Sequence, residues 1–212
     1  MRSGEGDIAR IEKGAVRGFL HRPHEPTGSG LALTHGAGSD CASPLLAAVA
    51  GALCAAGIVV LRCDLAFRMA RPKGPPSPSG AAADRAGLKS ALALLREYAP
   101  GPLILGGHSY GGRQASMLAA EEPELAASLL LLSYPLHPPN KPAQLRTAHF
   151  PELRTPSLFV HGSADPFGSL SQLKRALKLI AAPTRLMPIE GAGHDLKRGR
   201  FDLAAMAAAL IP

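Results

Sequence analysis

Short apolar segments of strand length alternate with helical segments along almost the whole chain. The strand-like segments are predicted at residues 31–34, 58–61, 103–105, 129–132, 157–160 and 185–189. Helices are predicted at residues 44–56, 81–98, 114–121, 170–180 and 201–210. Strands that alternate with helices form a parallel sheet, because each helix carries the chain back across one face of that sheet. The chain has 212 residues, and we predict a single α/β domain over residues 1–212.

Three stretches depart from this alternation. At the start, residues 8–11 and 16–20 flank a Lys13-Gly14 turn and predict a β-hairpin at the edge of the sheet. Residues 62–80, which contain RPKGPPSPSG, and residues 135–150 are irregular because proline suits neither a helix interior nor a central strand. Little sequence lies between residues 132 and 157, and it is too short to form an inserted domain. We therefore predict a minimal, doubly wound, mostly parallel sheet with helices on both faces, no large lid domain, and an open site walled by the two irregular segments.

The net charge of +7 raises the question of nucleic-acid binding. Lys174, Arg175 and Lys178 follow helical spacing in a leucine-rich segment, which is typical of a solvated helix face. Aromatic residues make up only 4% of the chain and do not interleave with the basic ones, so stacking platforms for bases are missing. We predict no nucleic-acid partner and no membrane association. The opening residues MRSGEGDIAR lead into no apolar segment, so we expect a cytoplasmic protein.

The cysteines and histidines are the residues of this chain most suited to bind a transition metal. Cys41, Cys54 and Cys63 form an odd set without close pairing, which indicates reduced thiols in the core. Histidines 35, 108 and 194 follow predicted strands, but no carboxylate or cysteine completes a ligand set at suitable spacing. We predict no metal and no cofactor.

One motif carries the strongest indication of chemistry. The strand at residues 103–105 runs into Gly107-His108-Ser109-Tyr110-Gly111, and a helix follows. A G-x-S-x-G turn between a strand and a helix is typical of a nucleophile elbow, which exposes a serine hydroxyl. We predict Ser109 as the nucleophile. The alternative is a glycine-rich turn that only connects the two elements.

A serine hydroxyl needs a base and a carboxylate to become a nucleophile. His194 follows the last predicted strand and Asp165 follows the strand before it, so the chain order is Ser, Asp, His. Considered one at a time, each has a structural alternative: His194 could be an ordinary loop histidine, and Asp165 could cap a helix. Asp64 and Asp195 are the alternative carboxylates. Asp195 is adjacent to His194 in sequence and so is poorly placed to accept a hydrogen bond from that ring, and Asp64 follows a strand that precedes Ser109. We therefore prefer Asp165.

Acyl transfer also needs donors for the oxyanion. The residue after the nucleophile supplies one, so we predict the main-chain N–H of Tyr110. The loop His35-Gly36-Ala37-Gly38 follows the strand at 31–34, and we predict Ala37 as the second donor. His35 itself is expected to brace this loop by hydrogen bonding.

Basic residues in the first irregular segment suggest a substrate preference. Arg68, Arg71 and Lys73 would favour an anionic acyl substrate, and they are equally consistent with solvated loop charges.

Three stretches of sequence resemble a known family. THGAGSD, LRCDLAFRMARPKGPP and GGHSYGGRQAS, together with the order of Ser109, Asp165 and His194, resemble the α/β-hydrolase superfamily from residue 31 to the end. More narrowly, they are similar to a small dienelactone-hydrolase-like group that includes testis-expressed proteins and a subunit of a histone-acetyltransferase (NSL) complex. The resemblance implies an uncapped, minimal α/β-hydrolase fold and says little about the substrate. From the predicted triad and oxyanion donors, we expect a carboxylesterase-like serine hydrolase acting on a small acyl ester or thioester. The alternative is a non-catalytic interaction module on the same fold. Dienelactone hydrolases carry cysteine where this chain has Ser109, so their substrate is not implied.

Overall fold

The structure is a computed structural model that describes residues 6–210 of the chain. Its strands are β1 (Asp7–Lys13), β2 (Val16–Arg22), β3 (Gly30–Thr34), β4 (Val59–Cys63), β5 (Leu103–His108), β6 (Ser128–Leu132), β7 (Ser157–Gly162) and β8 (Thr184–Ile189). Its α-helices are α1 (Pro44–Ala55), α2 (Ala66–Ala70), α3 (Ala81–Leu95), α4 (Tyr110–Glu121), α5 (Leu170–Leu177) and α6 (Leu203–Leu210). Short 3-10 turns lie at Pro78–Gly80 and Phe150–Glu152.

Within residues 6–210, the strands form one eight-stranded sheet in the order β1-β2-β4-β3-β5-β6-β7-β8. The predicted hairpin is confirmed, since β1 and β2 pair in antiparallel register and β2 continues antiparallel to β4. All other neighbours are parallel. The strand order reverses around β3, so the loops after β3 and β5 meet at the carboxyl edge of the sheet, where α/β sheets bind their ligands.

Helices cover both faces of the sheet, as predicted. In β3, Leu31 and Leu33 belong to the core under α1 and α6, whereas Ala32 belongs to the core under α3, α4 and α5. Side chains alternate in this way because successive residues of a strand point to opposite faces. The mostly parallel, doubly wound fold without a large lid is therefore confirmed.

The segment at residues 62–80 is more ordered than predicted, beginning with a charged residue inside a strand. Arg62 lies in β4 and is buried. Its Nε donates to Nε2 of His21 over 2.8 Å, and its Nη1 donates to the carbonyl oxygen of Cys41 over 2.7 Å. These acceptors come from distant parts of the chain, so local sequence gave no sign that an arginine would be accommodated there.

The same segment contains the short helix α2. The main-chain N–H of Phe67, in the first turn of α2, donates to the carboxylate of Asp84 over 2.9 Å. Asp84 lies in α3 and is fully buried. The helix is thus capped by a side chain 17 residues later, which a local pattern does not reveal.

Other predictions from composition can be compared with the described residues. The three cysteines are buried free thiols, as predicted. Between residues 6 and 210, no helix has the length and apolar character that crossing a bilayer requires.

Candidate active site

Ser109 occupies a strained turn between β5 and α4. Its backbone angles are φ 52° and ψ −118°, a region that residues with a side chain rarely adopt. Its main-chain N–H donates to the carbonyl oxygen of Leu132 at the end of β6 over 2.8 Å, which holds the turn in place. The sharp change of direction is the geometry of a nucleophile elbow.

The two glycines that flank Ser109 allow the chain to pack closely at the turn. A Cβ on Gly107 would lie 2.6 Å from the carbonyl carbon of Gly111 and from the nitrogen of Gly112. A Cβ on Gly111 would overlap the carbonyl oxygen of His35. Both positions therefore need glycine for steric reasons.

The structure brings Ser109, His194 and Asp165 together as a chain of hydrogen bonds. The Nε2 atom of His194 lies 2.7 Å from Oγ of Ser109, and its Nδ1 atom lies 2.8 Å from Oδ2 of Asp165. A carboxylate only accepts, so Nδ1 carries the proton and Nε2 is left to accept the hydroxyl proton of Ser109. This arrangement lets a proton pass from the hydroxyl to the imidazole.

Neighbouring groups hold the imidazole and the carboxylate in position. The carboxylate of Asp165 is fully buried, and its Oδ1 accepts the main-chain N–H of Phe167 over 2.8 Å. The Phe167 ring lies against the imidazole of His194, with centroids 4.1 Å apart. Because Asp165 has no freedom to turn, it fixes both the tautomer and the orientation of His194.

The rival carboxylates are engaged elsewhere. Asp64 accepts from Nε of Arg17 and from the main-chain N–H of Cys41, each over 2.8 Å. Asp195 is exposed and accepts the main-chain N–H of Lys197 over 3.2 Å, a bond that lowers its pKa. Neither one contacts the imidazole of His194 at hydrogen-bond distance, whereas Asp165 does.

His108, the residue before Ser109, contacts the same loop. Its Nε2 donates to the main-chain carbonyl oxygen of His194 over 2.8 Å, and the two rings lie 5.2 Å apart. Burial lowers the pKa of His108 to about 4, so the ring is neutral near pH 7. Its proton sits on Nε2, because a carbonyl oxygen can only accept.

The loop after β3 lies against Ser109. A Cβ placed on Gly36 would be 3.3 Å from Cβ of Ser109, and Ala37 lines the same cleft as Ser109 and Tyr110. His35 is buried and braces this loop: its Nδ1 donates to the carbonyl oxygen of Gly36 over 2.8 Å, and its Nε2 accepts the N–H of Leu65 over 3.1 Å. In a trans peptide the C=O and N–H point in opposite directions. The bond to Gly36 therefore also fixes the direction of the Ala37 N–H.

Arg68 occupies a different position from the predicted substrate-binding one. Its guanidinium is turned into the protein and donates to four main-chain carbonyl oxygens, those of Ser39, Pro72, Ala37 and Gly74, over 2.7–3.3 Å. These contacts use four of the five N–H donors of the guanidinium. Arg68 also does not line the cleft that contains Ser109. The expectation for Arg68 is corrected, and its observed role is to tie the loop after β3 to the proline-rich segment.

The other predicted cations lie beside the cleft. Arg71 is exposed and donates to the carbonyl oxygen of Pro75. Lys73 lines a neighbouring depression of about 440 Å³ that shares Ala37 and Pro75 with the cleft. Neither residue lines the cleft that contains Ser109.

A cleft of about 810 Å³ opens above Ser109. Both irregular segments contribute to it, the first through Pro75 to Pro78 and the second through Pro135 and Arg146. Its size falls in the range of small-molecule sites, roughly 300–1,000 Å³.

Sequence reasoning missed several residues of the cleft wall. Arg113, Gln114 and Arg146 all line it. A sequence signal existed for the first two, because helical spacing places positions 110, 113, 114 and 117 on one face. The predicted helix began only at residue 114, whereas α4 begins at Tyr110. No local signal marked Arg146, which lies in the irregular segment.

Comparison with solved structures shows the same fold. The chain is similar to a dienelactone hydrolase from Anabaena variabilis ATCC 29413, with 23% identity and a TM-score of 0.75 over 97% of this chain and 95% of that chain. It is similar to an alpha-beta serine hydrolase homologue from Coxiella burnetii, with 19% identity and a TM-score of 0.71 over 97% and 95% of the two chains. It is also similar to XC6422 from Xanthomonas campestris, described as a serine hydrolase without lid, with 19% identity and a TM-score of 0.64 over 99% and 93%.

Sequence comparison gives a short match and a long one. A segment of 48 residues is 42% identical to epoxide hydrolase A of Mycobacterium tuberculosis (strain ATCC 25618 / H37Rv) and spans 23% of this chain but only 15% of that relative. A family model described as an alpha/beta hydrolase domain matches residues 28–208, which is most of the chain. Together with the eight-stranded sheet and the turn at Ser109, this match shows that the chain belongs to the alpha/beta hydrolase family.

Proposed function

We propose that this protein is a carboxylesterase-like serine hydrolase that cleaves small acyl esters or thioesters through an acyl-enzyme intermediate. The observation that carries this proposal is the pair of contacts on one imidazole: 2.7 Å from His194 to Ser109 and 2.8 Å from His194 to Asp165. Ser109 is the nucleophile, His194 the base and Asp165 the residue that orients the base.

In the first half-reaction, Oγ of Ser109 attacks the carbonyl carbon of the substrate while its proton moves to Nε2 of His194. The carbonyl oxygen becomes an oxyanion, and the N–H groups of Ala37 and Tyr110 donate hydrogen bonds to it. The tetrahedral intermediate then collapses. The bond to the leaving oxygen or sulfur breaks, and His194 returns its proton to that leaving group.

In the second half-reaction, a water molecule attacks the acyl carbon and gives a proton to Nε2 of His194. Collapse of the second tetrahedral intermediate breaks the bond to Oγ, and Ser109 recovers the proton from His194. The products are a carboxylic acid and an alcohol or thiol. Asp165 remains ionised throughout and stabilises the imidazolium that forms in each half.

The narrower resemblance extends this proposal. We place the chain with the small dienelactone-hydrolase-like hydrolases, a placement supported by the fold it shares with one of them and by the absence of a lid between β6 and β7 in the described residues. An open cleft favours small, accessible acyl groups over long buried chains.

Replacement of the nucleophile tests the proposal. We expect Ser109→Ala to lower turnover of short-chain esters by about a thousandfold or more and to abolish labelling by a fluorophosphonate probe. Ser171→Ala changes an exposed serine of α5 and serves as the matched control that keeps full labelling. Folded wild-type protein that neither hydrolyses esters nor takes up the probe would instead favour a non-catalytic interaction module.

A further inference from the structure

One face of the nucleophile helix forms a wall of the cleft. Tyr110, Arg113, Gln114 and Met117 lie at positions i, i+3, i+4 and i+7 of α4, and all four line the cleft. Arg113 lies one helical turn beyond Ser109, about 6 Å along the helix axis. The Arg113 side chain therefore lines the cleft about one helical turn from Ser109, where the reacting carbonyl would lie.

Arg113 lines the cleft as a partly exposed side chain. Its Nε atom is inaccessible to solvent, so only the outer part of the guanidinium can meet an entering anion. None of the ion pairs found within residues 6–210 includes Arg113.

Arg146, from the second irregular segment, lines the same cleft, and two hydrogen bonds hold its backbone. Its N–H donates to the carbonyl oxygen of Leu136 over 2.8 Å, and its carbonyl oxygen accepts the hydroxyl of buried Tyr134 over 2.6 Å. Both side chains line the same cleft, and burial together with the charge of Arg113 lowers the pKa of Arg146. No ion pair in the described part of the chain includes Arg146 either.

Two like charges that share one wall raise the free energy of the empty site. Among the described residues, no Asp or Glu lines the cleft to offset them. An anion that enters would pair with both guanidiniums through charge-assisted hydrogen bonds, which are shorter and stronger than neutral ones. The planar fork of arginine matches the oxygens of a carboxylate or a phosphate.

We infer that Arg113 and Arg146 form an anion subsite and that the substrate is a short ester carrying a carboxylate or phosphate group on its acyl or its alcohol part. This inference rests on the proposed function, since it names the substrate class of the same cleft. It replaces the earlier expectation for Arg68 with two residues whose guanidiniums are not consumed by the main chain.

Matched pairs of esters test the inference. In the acyl arm, monomethyl glutarate is compared with methyl hexanoate; in the alcohol arm, the monoacetate of propanediol phosphate is compared with hexyl acetate. We expect wild-type protein to favour the anionic member of at least one pair by tenfold or more in kcat/KM. The preference should shrink at high salt. The arm that shows it identifies which part of the substrate carries the anion.

Variants assign the preference to the two arginines. Arg113→Met keeps the aliphatic stem and removes the charge, so the ratio of anionic to neutral kcat/KM should fall at least tenfold. Arg113→Lys should retain an intermediate ratio because the charge stays but the fork is lost. Arg146→Met gives an independent test if the first variant folds poorly. Arg175→Met removes the same charge from an exposed position on α5 and should leave the ratio unchanged.

The outcomes separate this inference from the proposed function. Equal rates for both members of each pair, with hydrolysis still dependent on Ser109, would overturn the anion subsite and leave the hydrolase intact. A preference that survives both arginine-to-methionine changes would overturn it as well. Absence of any hydrolysis dependent on Ser109 would overturn the function itself.

Discussion

The imidazole of His108 donates a hydrogen bond from Nε2 to the main-chain carbonyl oxygen of His194 over 2.8 Å. The residue next to Ser109, the proposed nucleophile, thus holds the backbone of His194, the proposed base. Since Ser109 and His194 lie 85 positions apart in the chain, this bond ties the two loops that must meet for proton transfer.

Replacement of His108 should therefore reduce turnover more than substrate binding. We expect His108→Leu to lower kcat about fivefold with little change in KM, equivalent to the roughly 1 kcal/mol that one hydrogen bond contributes. His108→Gln places an amide donor near the original Nε2 and should recover most of the loss. Steady-state kinetics on one short ester checks both variants. An equal loss in the two variants, or a loss confined to KM, would contradict a positioning role.

The carboxylates Asp165 and Asp64 should behave differently when each is replaced by asparagine. Asp165→Asn presents an amide that no longer holds the proton on Nδ1 of His194, and we expect kcat to fall about ten-thousandfold, as loss of the correct tautomer does in serine hydrolases. Asp64→Asn weakens the contacts to Arg17 and Cys41 and should lower stability while kcat stays within tenfold. Kinetics and urea denaturation of the two variants make the comparison. A larger kcat loss for Asp64→Asn would reverse the assignment.

Local pattern was sufficient to predict the elements that support this site. The alternation of apolar strands and helices predicted the sheet. The three site residues each follow a predicted strand: Ser109, Asp165 and His194. Such positions converge because parallel strands end at one edge of the sheet. The structure brings these three side chains together in one chain of hydrogen bonds.

The features that sequence reasoning missed depend on partners far along the chain. Arg62 could be buried only because His21 and the carbonyl of Cys41 accept its donors. Arg68 reads as a loop cation, yet main-chain carbonyls surround it once the loops fold. Tertiary hydrogen bonding decides these cases, and neither propensity nor spacing contains that information.

The buried carboxylate of Asp84 leads to a prediction about stability. It accepts the N–H of Phe67 and the hydroxyl of Tyr110, over 2.9 Å and 2.7 Å, and so joins α2, α3 and α4. Asp84→Ala leaves two donors without an acceptor, each costing about 1–3 kcal/mol, so we expect the free energy of unfolding to fall by about 2 kcal/mol or more. Urea denaturation measures it. Glu124→Ala, at an exposed position, is the control and should change the free energy of unfolding by less than about 0.5 kcal/mol. An equally small change for Asp84→Ala would show that the carboxylate does not hold the helices together.

Buried histidines should make stability depend on pH below neutrality. Burial lowers the pKa of His21, His108 and His149 from 6.5 to about 4, with Arg62 and Arg113 adding to the effect at His21 and His149. In the unfolded chain these groups take up protons near pH 6.5, whereas in the folded protein they do so only near pH 4. The unfolded state therefore binds more protons in this window, and the free energy of unfolding must fall as pH drops from about 6.5 towards 4.

His149 offers a clean test of this pH dependence. Its Nε2 lies 2.8 Å from Oγ of Ser116, which itself donates to the carbonyl of Arg113, so the imidazole is the donor in that contact. His149→Gln keeps a donor there and removes the titration, and urea denaturation between pH 7.5 and pH 4.5 should show a slope smaller by up to one proton. Leu145→Gln introduces the same amide at an exposed position of the same segment and should leave the slope as in the wild type. An unchanged slope in His149→Gln would mean that the imidazole takes up its proton as readily in the folded protein as in the unfolded chain, and that burial beside Arg113 does not hold it neutral.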